Sequence, residues 1–385
     1  MNLIITGGNG CGKTTFIKQL HEDIIRKSDP RKSSEHLTQE LRNHEVQVQK
    51  GASAPNYTYH KDMIDQLSKD IKKAEQTTIS MRDSTEFIQE YADKHFVLNY
   101  YQAERQSQIS VDDTRPSLVS LKTRESSKAM SEHFGIVFEK YLVAQKVIFN
   151  DIVATRDAEA QPQAERINAW LCKVEQDLRY LFEDDALELK FNREKQSFEI
   201  HQVDKSPFQF NELSSGFSAI MYIYSDLLMK VELKEIPADQ LKGIVLIDEL
   251  DAHLHVSLQR RILSFFTHAF PNIQFIVTTH SPFVVQSVND AVIYDLSKRE
   301  QLQDLSMYSY ESILKGLLGV ESTSDLLKDQ LDDMAQLVNE TPLNKERLNE
   351  LIANIEPHES KLDARSRAFL LLGKNALLDL NDGEE

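Results

Sequence analysis

Residues 1–15 read MNLIITGGNGCGKTT, and what this stretch can bind determines how the rest of the chain is interpreted. Gly7, Gly12, Lys13 and Thr14 match the pattern G-x-x-x-x-G-K-[ST], directly after the apolar residues 3–5 and before a pattern typical of an amphipathic helix. Glycines let successive backbone N–H groups surround a phosphate, and the helix N-terminus adds partial positive charge. Lys13 is then expected at the β- and γ-phosphates and Thr14 on magnesium. A glycine turn that only caps a helix is the alternative.

The composition argues against several classes of protein. The 385 residues include 44 basic and 61 acidic side chains, a formal net charge of -17. This balance argues against bulk attraction to nucleic acid or to an anionic membrane, although a local basic patch stays open. Cys11 and Cys172 are too few for a disulfide framework, no signal peptide precedes the first strand, and no apolar run approaches the ~20 residues that span a bilayer. We therefore expect a cytoplasmic protein without membrane association, in which Cys11 is a redox switch or, more simply, a small loop residue.

The middle of the chain is predicted to be mainly helical around one buried strand. Helices are expected near residues 34–49, 60–75, 131–157 and 162–183, with a polar linker at 112–131 and a hairpin at 187–191 and 197–202. The apolar and aromatic residues 96–101 predict a buried strand that leads into Gln102. A glutamine at that position could face magnesium and the attacking water, and an ordinary surface residue is the alternative.

A second anion site is predicted at residues 213–216, LSSG, because a helix with regularly spaced apolar residues follows them. Ser214 supplies a hydroxyl and Gly216 a backbone N–H at the helix N-terminus, where negative charge is favoured. A serine that merely caps a buried helix would be the preferred interpretation if this stretch stood alone.

Two further apolar runs are expected to deliver acidic and imidazole groups to the same sheet edge. Residues 243–247, GIVLI, predict a strand buried on both faces of a parallel sheet, and Asp248 and Glu249 follow it. The first carboxylate can hold magnesium through water, and the second can polarise the hydrolytic water. Residues 275–279 predict a third strand that ends at His280, which could sense the γ-phosphate or orient the nucleophile.

Four polar residues at or after these strand ends are also possible zinc ligands, since H-x-H with a nearby carboxylate is chemically competent. They are Asp251, His253, His255 and His280. Because they follow the Asp-Glu pair and the third strand, a role beside the nucleotide or at a subunit contact is favoured over zinc.

Taken in order, GGNGCGKT, LSSG, IDELDAHLH and TTHS resemble the Walker A, signature, Walker B plus D-loop and switch-histidine motifs of ABC-type ATPase heads. The set is similar to the AAA-labelled ATPases of the RecF/Rad50/OLD-like group, several of which serve bacterial antiphage systems. The resemblance implies an α/β fold, a P-loop NTPase with an ABC-ATPase-like head, a helical insertion and a helical C-terminal region. It also implies ATP and Mg2+ as ligands, and composite sites formed between two heads.

The resemblance assigns roles position by position. Glu249 would be the catalytic base, His280 the catalytic switch and Gln102 the Q-loop glutamine of the catalytic set. Ser214 and Gly216 would cap the γ-phosphate held by the other protomer, and residues 251–255 would line the dimer seam. Magnesium would be held by Thr14, Gln102 and Asp248. The triphosphate would be bound by Gly8, Asn9, Gly10, Cys11, Gly12, Lys13, Thr14 and Thr15.

The motifs also suggest a domain organisation. The P-loop ATPase core is expected at residues 1–29 and 187–300 with strand 96–106, helical insertions at 30–95 and 107–186, and a helical C-terminal region at 301–385. In that last region helices are expected near 310–320, 324–339, 344–355 and 364–378. It carries no carboxylate cluster of the kind a TOPRIM nuclease needs, so an effector activity is expected on a separate protein.

Two features depart from the family pattern. Family members usually carry strands before the P-loop strand that help to seat the base, whereas here that strand begins at Asn2, so ATP or GTP stays open. The signature LSSGF differs from the transporter-like LSGGQ and favours the RecF-like side.

Three functional hypotheses follow. The first is an ATP-hydrolysing ATPase that forms a homodimer or higher oligomer and regulates a separate nuclease or toxin in antiphage defence. The second is a RecF-like repair ATPase acting directly on DNA, which would need a basic channel. The third is a nucleotide-dependent scaffold that does not hydrolyse.

Overall fold

The computed structural model describes residues 1–51, 55–76, 79–80, 84–93, 95–109, 117–237, 240–302, 325–340, 344–362 and 364–382. The chain divides into a first unit, Met1–Tyr310, and a second unit, Glu311–Glu385. The finer division of the first unit into an ATPase core and two helical insertions stays a prediction.

Most predicted strands and helices of the first unit lie within a few residues of their expected bounds. The strands are β1 (Asn2–Thr6), β2 (Phe96–Tyr101), β3 (Glu188–Asn192), β4 (Ser197–His201), β5 (Lys242–Ile247), β6 (Ile273–Thr278), β7 (Ala291–Asp295) and β8 (Glu300–Leu302). The helices are α1 (Lys13–Ser28), α2 (Ser34–Gln49), α3 (Tyr57–Gln76), α4 (Ser84–Ala92), α5 (Leu118–Ser126), α6 (Phe138–Thr155), α7 (Gln161–Phe182), α8 (Ser215–Lys234), α9 (Val256–Gln259), α10 (Ile262–Ala269) and α11 (Pro282–Val285).

A six-stranded sheet in the order β2-β5-β6-β1-β7-β8 forms the centre of this unit. Its neighbouring strands are parallel except for the pair β7 and β8. Ile247 pairs with both Tyr101 and Val277, and Val277 pairs with Ile4, so four strands end in register. The carboxyl ends of β1, β2, β5 and β6 therefore meet at one edge, where open parallel sheets bind their ligands.

Both faces of the sheet are buried, which explains why its strands are almost continuously apolar. Helix α1 packs on one face, in a cluster that comprises Ile17 and Ile24 of the helix and Ile5, Leu98, Leu246 and Ile276 of the strands. The alternate residues Val97, Val245 and Phe275 are also buried and point to the opposite face. Helix α8 is tied to β2 by the Tyr101 hydroxyl, which donates to the Asp226 carboxylate at 2.5 Å. The α/β P-loop fold predicted from the sequence is confirmed.

Several elements differ from the prediction. The polar linker expected at 112–131 contains α5, which Ser117 caps by accepting a hydrogen bond from the Ser120 N–H at 3.1 Å and which buries Leu121. The helix expected from residue 131 begins only at Phe138, after a 3-10 turn. The sequence predicts no strand after residue 279, but β7 and β8 extend the sheet beyond β1. Helix α4 was also missed.

The second unit is described by itself. It contains α12 (Asp325–Val338), α13 (Lys345–Ile355) and α14 (Ala364–Asp382), close to three of the predicted helices. Their shared core comprises Leu331, Met334, Leu348, Leu351, Ile352, Ile355, Leu362 and Leu370. The helix predicted at 310–320 lies outside the described residues. Across the described parts of both units, no helix combines the length and apolar character needed to cross a membrane.

Candidate functional site

The loop between β1 and α1 has the backbone conformation of a phosphate cradle. Gly7, Gly10 and Gly12 adopt φ angles of 139°, 75° and 97°, in the region that favours glycine. A methyl group added at Gly10 or Gly12 would meet nothing within 4 Å, so the space beside these two glycines is open. Gly12 is the N-cap of the 16-residue helix α1, and no side chain caps that end. The donor set and the space both fit an anion.

Lys13 lies inside this cradle. Its side chain is buried, and its Nζ donates to the carbonyls of Gly7 at 3.0 Å and Gly8 at 3.1 Å. The amine is therefore held over the loop, where it can reach a phosphate. Thr14 is half-buried in the first turn of α1.

The other predicted loop residues differ in exposure. Cys11 is half-buried, and its Sγ lies 3.9 Å from Lys13 Nζ. Asn9, Gly10 and Thr15 are exposed at the open side of the cradle.

Asp248 is held by hydroxyl groups at the carboxyl end of β5. Its side chain is 2% exposed and accepts hydrogen bonds from Thr278 Oγ1 at 2.6 Å and from the Tyr100 hydroxyl at 3.5 Å. Burial and the neighbouring Asp248 charge raise the pKa of Tyr100 to about 12, so Tyr100 stays a donor. A fixed carboxylate beside a phosphate cradle fits a magnesium ion bound through water.

Glu249 follows in a left-handed conformation, with φ of 46°. Few residues other than glycine adopt this region without cost, so the turn is strained at this carboxylate. Its backbone N–H donates to Thr278 Oγ1 at 2.7 Å, while the same hydroxyl donates to Asp248. Thr278 thus sets the relative positions of the two acidic residues.

His280 lies at the end of β6 and is half-buried. Burial is the main cause of its lowered pKa, and the nearby Lys13 charge lowers the pKa further. The charges of Asp251 and Glu249 act in the opposite direction and raise it. The ring therefore favours its neutral form near neutral pH, in which one nitrogen donates and the other accepts. The end of β6 that carries His280 lies beside β1, because the Thr279 N–H donates to the Ile5 carbonyl at 3.0 Å.

Asp251 joins the turn after β5 to the end of β6. It accepts from Thr279 Oγ1 at 2.5 Å and from the His280 N–H at 3.3 Å. His255 instead caps α9 by accepting from the Ser257 N–H at 3.4 Å. In the part of the chain that the structure describes, no group of three or more His, Cys, Asp or Glu side chains is arranged to hold a metal ion.

The signature residues lie at the N-terminus of α8. Ser214 is exposed, and its hydroxyl makes no capping hydrogen bond to the helix. Gly216 is buried against the turn after β5, because a methyl group added there would lie 2.7 Å from the His253 carbonyl oxygen. The signature helix and this turn are therefore in direct contact within one chain.

The Gln102 side chain is more exposed than those of Lys13, Asp248 and His280. Gln102 follows β2 directly, in the register position next to Asp248, but its side chain is exposed. Its carbonyl oxygen accepts a hydrogen bond from Arg105 at 2.8 Å. The structure thus brings Lys13, Asp248, Glu249 and His280 to one edge and leaves the Gln102 amide at its margin.

Ser297 is a neighbour of the cradle that sequence reasoning missed. It lies in the turn after β7, and its Oγ accepts a hydrogen bond from the Gly8 N–H at 2.8 Å. The turn is fixed because the Ser297 N–H donates to Asp295 at 2.9 Å and the Leu296 N–H donates to Thr6 at 2.8 Å. No sequence signal marks this serine, which lies 289 residues from Gly8.

A family model described as "AAA domain, putative AbiEii toxin, Type IV TA system" matches residues 17–286, more than half of the chain. The chain belongs to this AAA family. The predicted resemblance to AAA-labelled ATPases is confirmed.

Curated relatives of this AAA-family chain match it in part. It is 33% identical over 164 residues to the Septu protein PtuA of Bacillus mycoides, covering 40% of this chain and 23% of that protein. It is 32% identical over 130 residues to the Septu protein PtuA of Bacillus thuringiensis, covering 30% and 33%. It is 37% identical over 107 residues to the Retron Ec83 probable ATPase of Escherichia coli, covering 26% and 20%. The matched regions thus span a third or less of these relatives' lengths.

Among solved structures, the chain is similar to one described as the SmcHead bound to the C-winged helix domain of ScpA. The likeness covers 63% of this chain and 61% of that chain, with 12% identity and a TM-score of 0.26.

Proposed function

We propose that this AAA-family protein binds and hydrolyses ATP, and that the hydrolysis cycle regulates a partner effector. The observation that carries the proposal is the convergence of Lys13, Asp248, Glu249 and His280 on one sheet edge beside an open glycine cradle. A structural glycine turn would need neither a buried lysine in the loop nor two carboxylates after β5, which is separated from β1 by β6 alone.

Each group has a distinct task in the proposed reaction. The loop amides and Lys13 bind the phosphates, and Thr14, Asp248 and the exposed Gln102 would hold Mg2+. A bound Mg2+ ion would supply charge that offsets the negative charge developing on the phosphate oxygens. Glu249 accepts a proton from water as the water oxygen attacks the γ-phosphorus. The bond between that phosphorus and the β–γ bridging oxygen breaks, and its electron pair leaves with ADP.

The neutral form of His280 suits a switch that donates one hydrogen bond and accepts another. As a donor it can contact a γ-phosphate, and it loses that contact once phosphate departs. Its backbone N–H is held by Asp251, so a change at His280 would reach the turn that packs against Gly216.

The signature residues support a composite site between two copies. The Ser214 hydroxyl is exposed and is not used to cap its own helix, which leaves it available to a phosphate outside the chain. The N-terminus of a 20-residue helix adds partial positive charge there. We therefore propose a homodimer in which Ser214 and Gly216 complete the pocket of the partner copy.

The effector is proposed to be a separate nuclease or toxin in antiphage defence. The support is the set of relatives named Septu protein PtuA and Retron Ec83 probable ATPase, together with the family description as a toxin-associated AAA domain.

Turnover and assembly of Glu249→Gln provide the main test. ATP hydrolysis and mass in solution, with and without ATP and Mg2+, are measured for the unaltered protein, for Glu249→Gln and for Glu194→Gln. Glu194 lies in the exposed β3–β4 turn and is the matched control. We expect turnover to fall by about a hundredfold only in Glu249→Gln, in the range of general-base losses, with an ATP-dependent dimer accumulating.

Three outcomes would change the proposal. Unchanged turnover in Glu249→Gln would remove Glu249 from the reaction. Tight nucleotide binding without turnover by the unaltered protein would favour a non-hydrolysing scaffold. Salt-sensitive DNA affinity that depends on several phosphate contacts would favour a RecF-like ATPase acting directly on DNA.

A further inference from the structure

Arg105 is a buried cation at the sheet edge whose role the motifs do not assign. It is three residues beyond Gln102 and only 7% exposed. Its Nη1 donates to the Gln102 carbonyl at 2.8 Å and to the Asp248 carbonyl at 2.9 Å. Its Nη2 donates to the carbonyls of Glu249 at 3.2 Å and Leu250 at 3.4 Å. One guanidinium thus joins the segment after β2 to three consecutive peptide units after β5.

The acceptors are unusual for a buried arginine. Among the described residues, its hydrogen-bond acceptors are all backbone carbonyls, so the guanidinium stabilises a backbone conformation and not a carboxylate partner. Burial lowers the pKa of Arg105 to about 10, while the charges of Asp248, Asp251 and Glu249 oppose that effect. The side chain therefore remains a cation at neutral pH and keeps all of its N–H donors.

The backbone that Arg105 holds is the strained one. Glu249 has φ of 46°, a left-handed conformation that is unfavourable for a residue other than glycine. Its N–H is fixed by Thr278 at 2.7 Å from the β6 side, and its carbonyl is fixed by Arg105 from the β2 side. The Ala252 N–H closes the turn on the same carbonyl at 3.0 Å. These restraints together fix the direction in which the Glu249 side chain leaves the backbone.

We propose that Arg105 is a positioning residue that holds the Glu249 carboxylate in place for proton abstraction, an inference that rests on the proposed ATPase function. A planar fork of donors can bind neighbouring carbonyls simultaneously, whereas the single ammonium of lysine cannot reproduce that geometry. Losing the fork releases the strained turn without removing any phosphate-binding group. The effect should therefore appear in kcat and not in nucleotide affinity.

The test compares Arg105→Lys and Arg105→Ala with the unaltered protein. A displacement of about 1 Å at a reacting group can cost on the order of a hundredfold in rate. We expect kcat to fall at least tenfold in both variants, with KM and nucleotide affinity within about twofold of the unaltered values. Added guanidinium or methylguanidinium should restore part of the turnover of Arg105→Ala but none of Glu249→Gln.

Arg179→Lys is the matched control. Arg179 also donates to a backbone carbonyl, that of Leu187 at 2.7 Å, but it lies on α7 and not at the sheet edge. Its replacement should leave kcat unchanged. If Arg105→Ala does not fold, Arg105→Lys and the control still provide the comparison.

Hydrogen exchange of the amides of Leu250 and Ala252 gives a readout that needs no activity. Exchange should become faster in the Arg105 variants and stay unchanged in Arg179→Lys. Unchanged exchange and unchanged kcat in the Arg105 variants would overturn the inference. If the same protein loses turnover on Glu249→Gln, the proposed ATPase function would survive that result. An unaltered protein that binds nucleotide without turnover would instead remove the proposed function, and the exchange rates alone would then decide whether Arg105 holds the turn.

Discussion

Glu139 is a buried carboxyl group that makes the stability of the first unit depend on pH. It lies on α6, is 2% exposed, and its Oε1 accepts a hydrogen bond from the Phe198 N–H of β4 at 3.0 Å. Its Oε2 is buried and has no hydrogen-bond partner among the described residues. Burial raises the pKa of Glu139 to about 7, although the Phe198 hydrogen bond opposes the shift. The folded protein therefore holds this proton at pH values where an unfolded chain has lost it.

The sign and size of the effect follow from that difference. The unfolded carboxyl ionises near its ordinary pKa of 4.5 and the folded one near 7. Between these values the unfolded state binds fewer protons than the folded state, so the free energy of unfolding falls as pH rises. The contribution is fully present below about pH 4.5 and is lost as pH rises through 7. At about 1.36 kcal/mol for each pKa unit, the loss between pH 5 and pH 8 amounts to roughly 2–3 kcal/mol.

Glu139→Gln removes the ionisation while keeping the size of the side chain. The free energy of unfolding in urea is measured from pH 5 to pH 8 for the unaltered protein, Glu139→Gln and the exposed control Glu159→Gln. Trp170 is the only tryptophan, and its ring lies 5.3 Å from that of Tyr141 on α6, so its fluorescence reports on this region. As pH rises from 5 to 8, the free energy of unfolding of Glu139→Gln should increase by roughly 2–3 kcal/mol relative to that of the unaltered protein. A constant difference between the two proteins would refute the reasoning.

Two further substitutions test contacts around the cradle. Ser297→Ala removes the hydrogen bond from the Gly8 N–H to Ser297 Oγ, and such a bond contributes about 1 kcal/mol. ATP affinity should therefore fall about fivefold in a binding titration. Ser297→Thr keeps the hydroxyl acceptor and should keep the affinity. Equal affinity in Ser297→Ala would show that this hydrogen bond does not shape the loop. Gly216→Ala places a methyl group 2.7 Å from the His253 carbonyl oxygen and should destabilise the protein by about 1–3 kcal/mol in chemical unfolding. The exposed Ser215→Ala is its control, and equal stability of the two variants would mean that the backbone shifts freely.

The motif residues could be located from the sequence because they are tied to strand ends. A continuous apolar run predicts a buried parallel strand, and parallel strands end at one edge, so the sequence alone predicts Asp248, Glu249 and His280 at the same edge as Lys13. The fold class followed from the resemblance of the four motifs to those of ABC-type ATPase heads. What the sequence could not show is the left-handed turn at Glu249, because backbone conformation there depends on hydrogen bonds from two other strands.

The missed elements share a different physical cause. Helix α5 buries Leu121 but leaves Val119 exposed, so it lacks the apolar periodicity that identifies a surface helix. Strand β7 has an apolar run of only four residues, AVIY, and so short a run does not distinguish a strand from a helix segment. Because β7 was missed, Ser297 in the turn after it could not be placed beside Gly8.

The contact between Gly216 and the His253 carbonyl constrains how two heads could work together. His253 has φ of 63°, so its carbonyl is directed by a left-handed residue that cannot relax easily to another conformation. Under the proposed dimer, a partner's γ-phosphate that attracts Ser214 would also pull on the N-terminus of α8. Because Gly216 leaves no room for a side chain against His253, that pull would be transmitted to the turn that begins with Glu249. A signature helix that binds phosphate in one active site would therefore adjust the catalytic base of the other, and hydrolysis in the two sites should be cooperative. Mixed dimers that pair an unaltered copy with a Gly216→Ala copy should then lose more than half of the turnover. Loss of half or less would show that the two sites act independently.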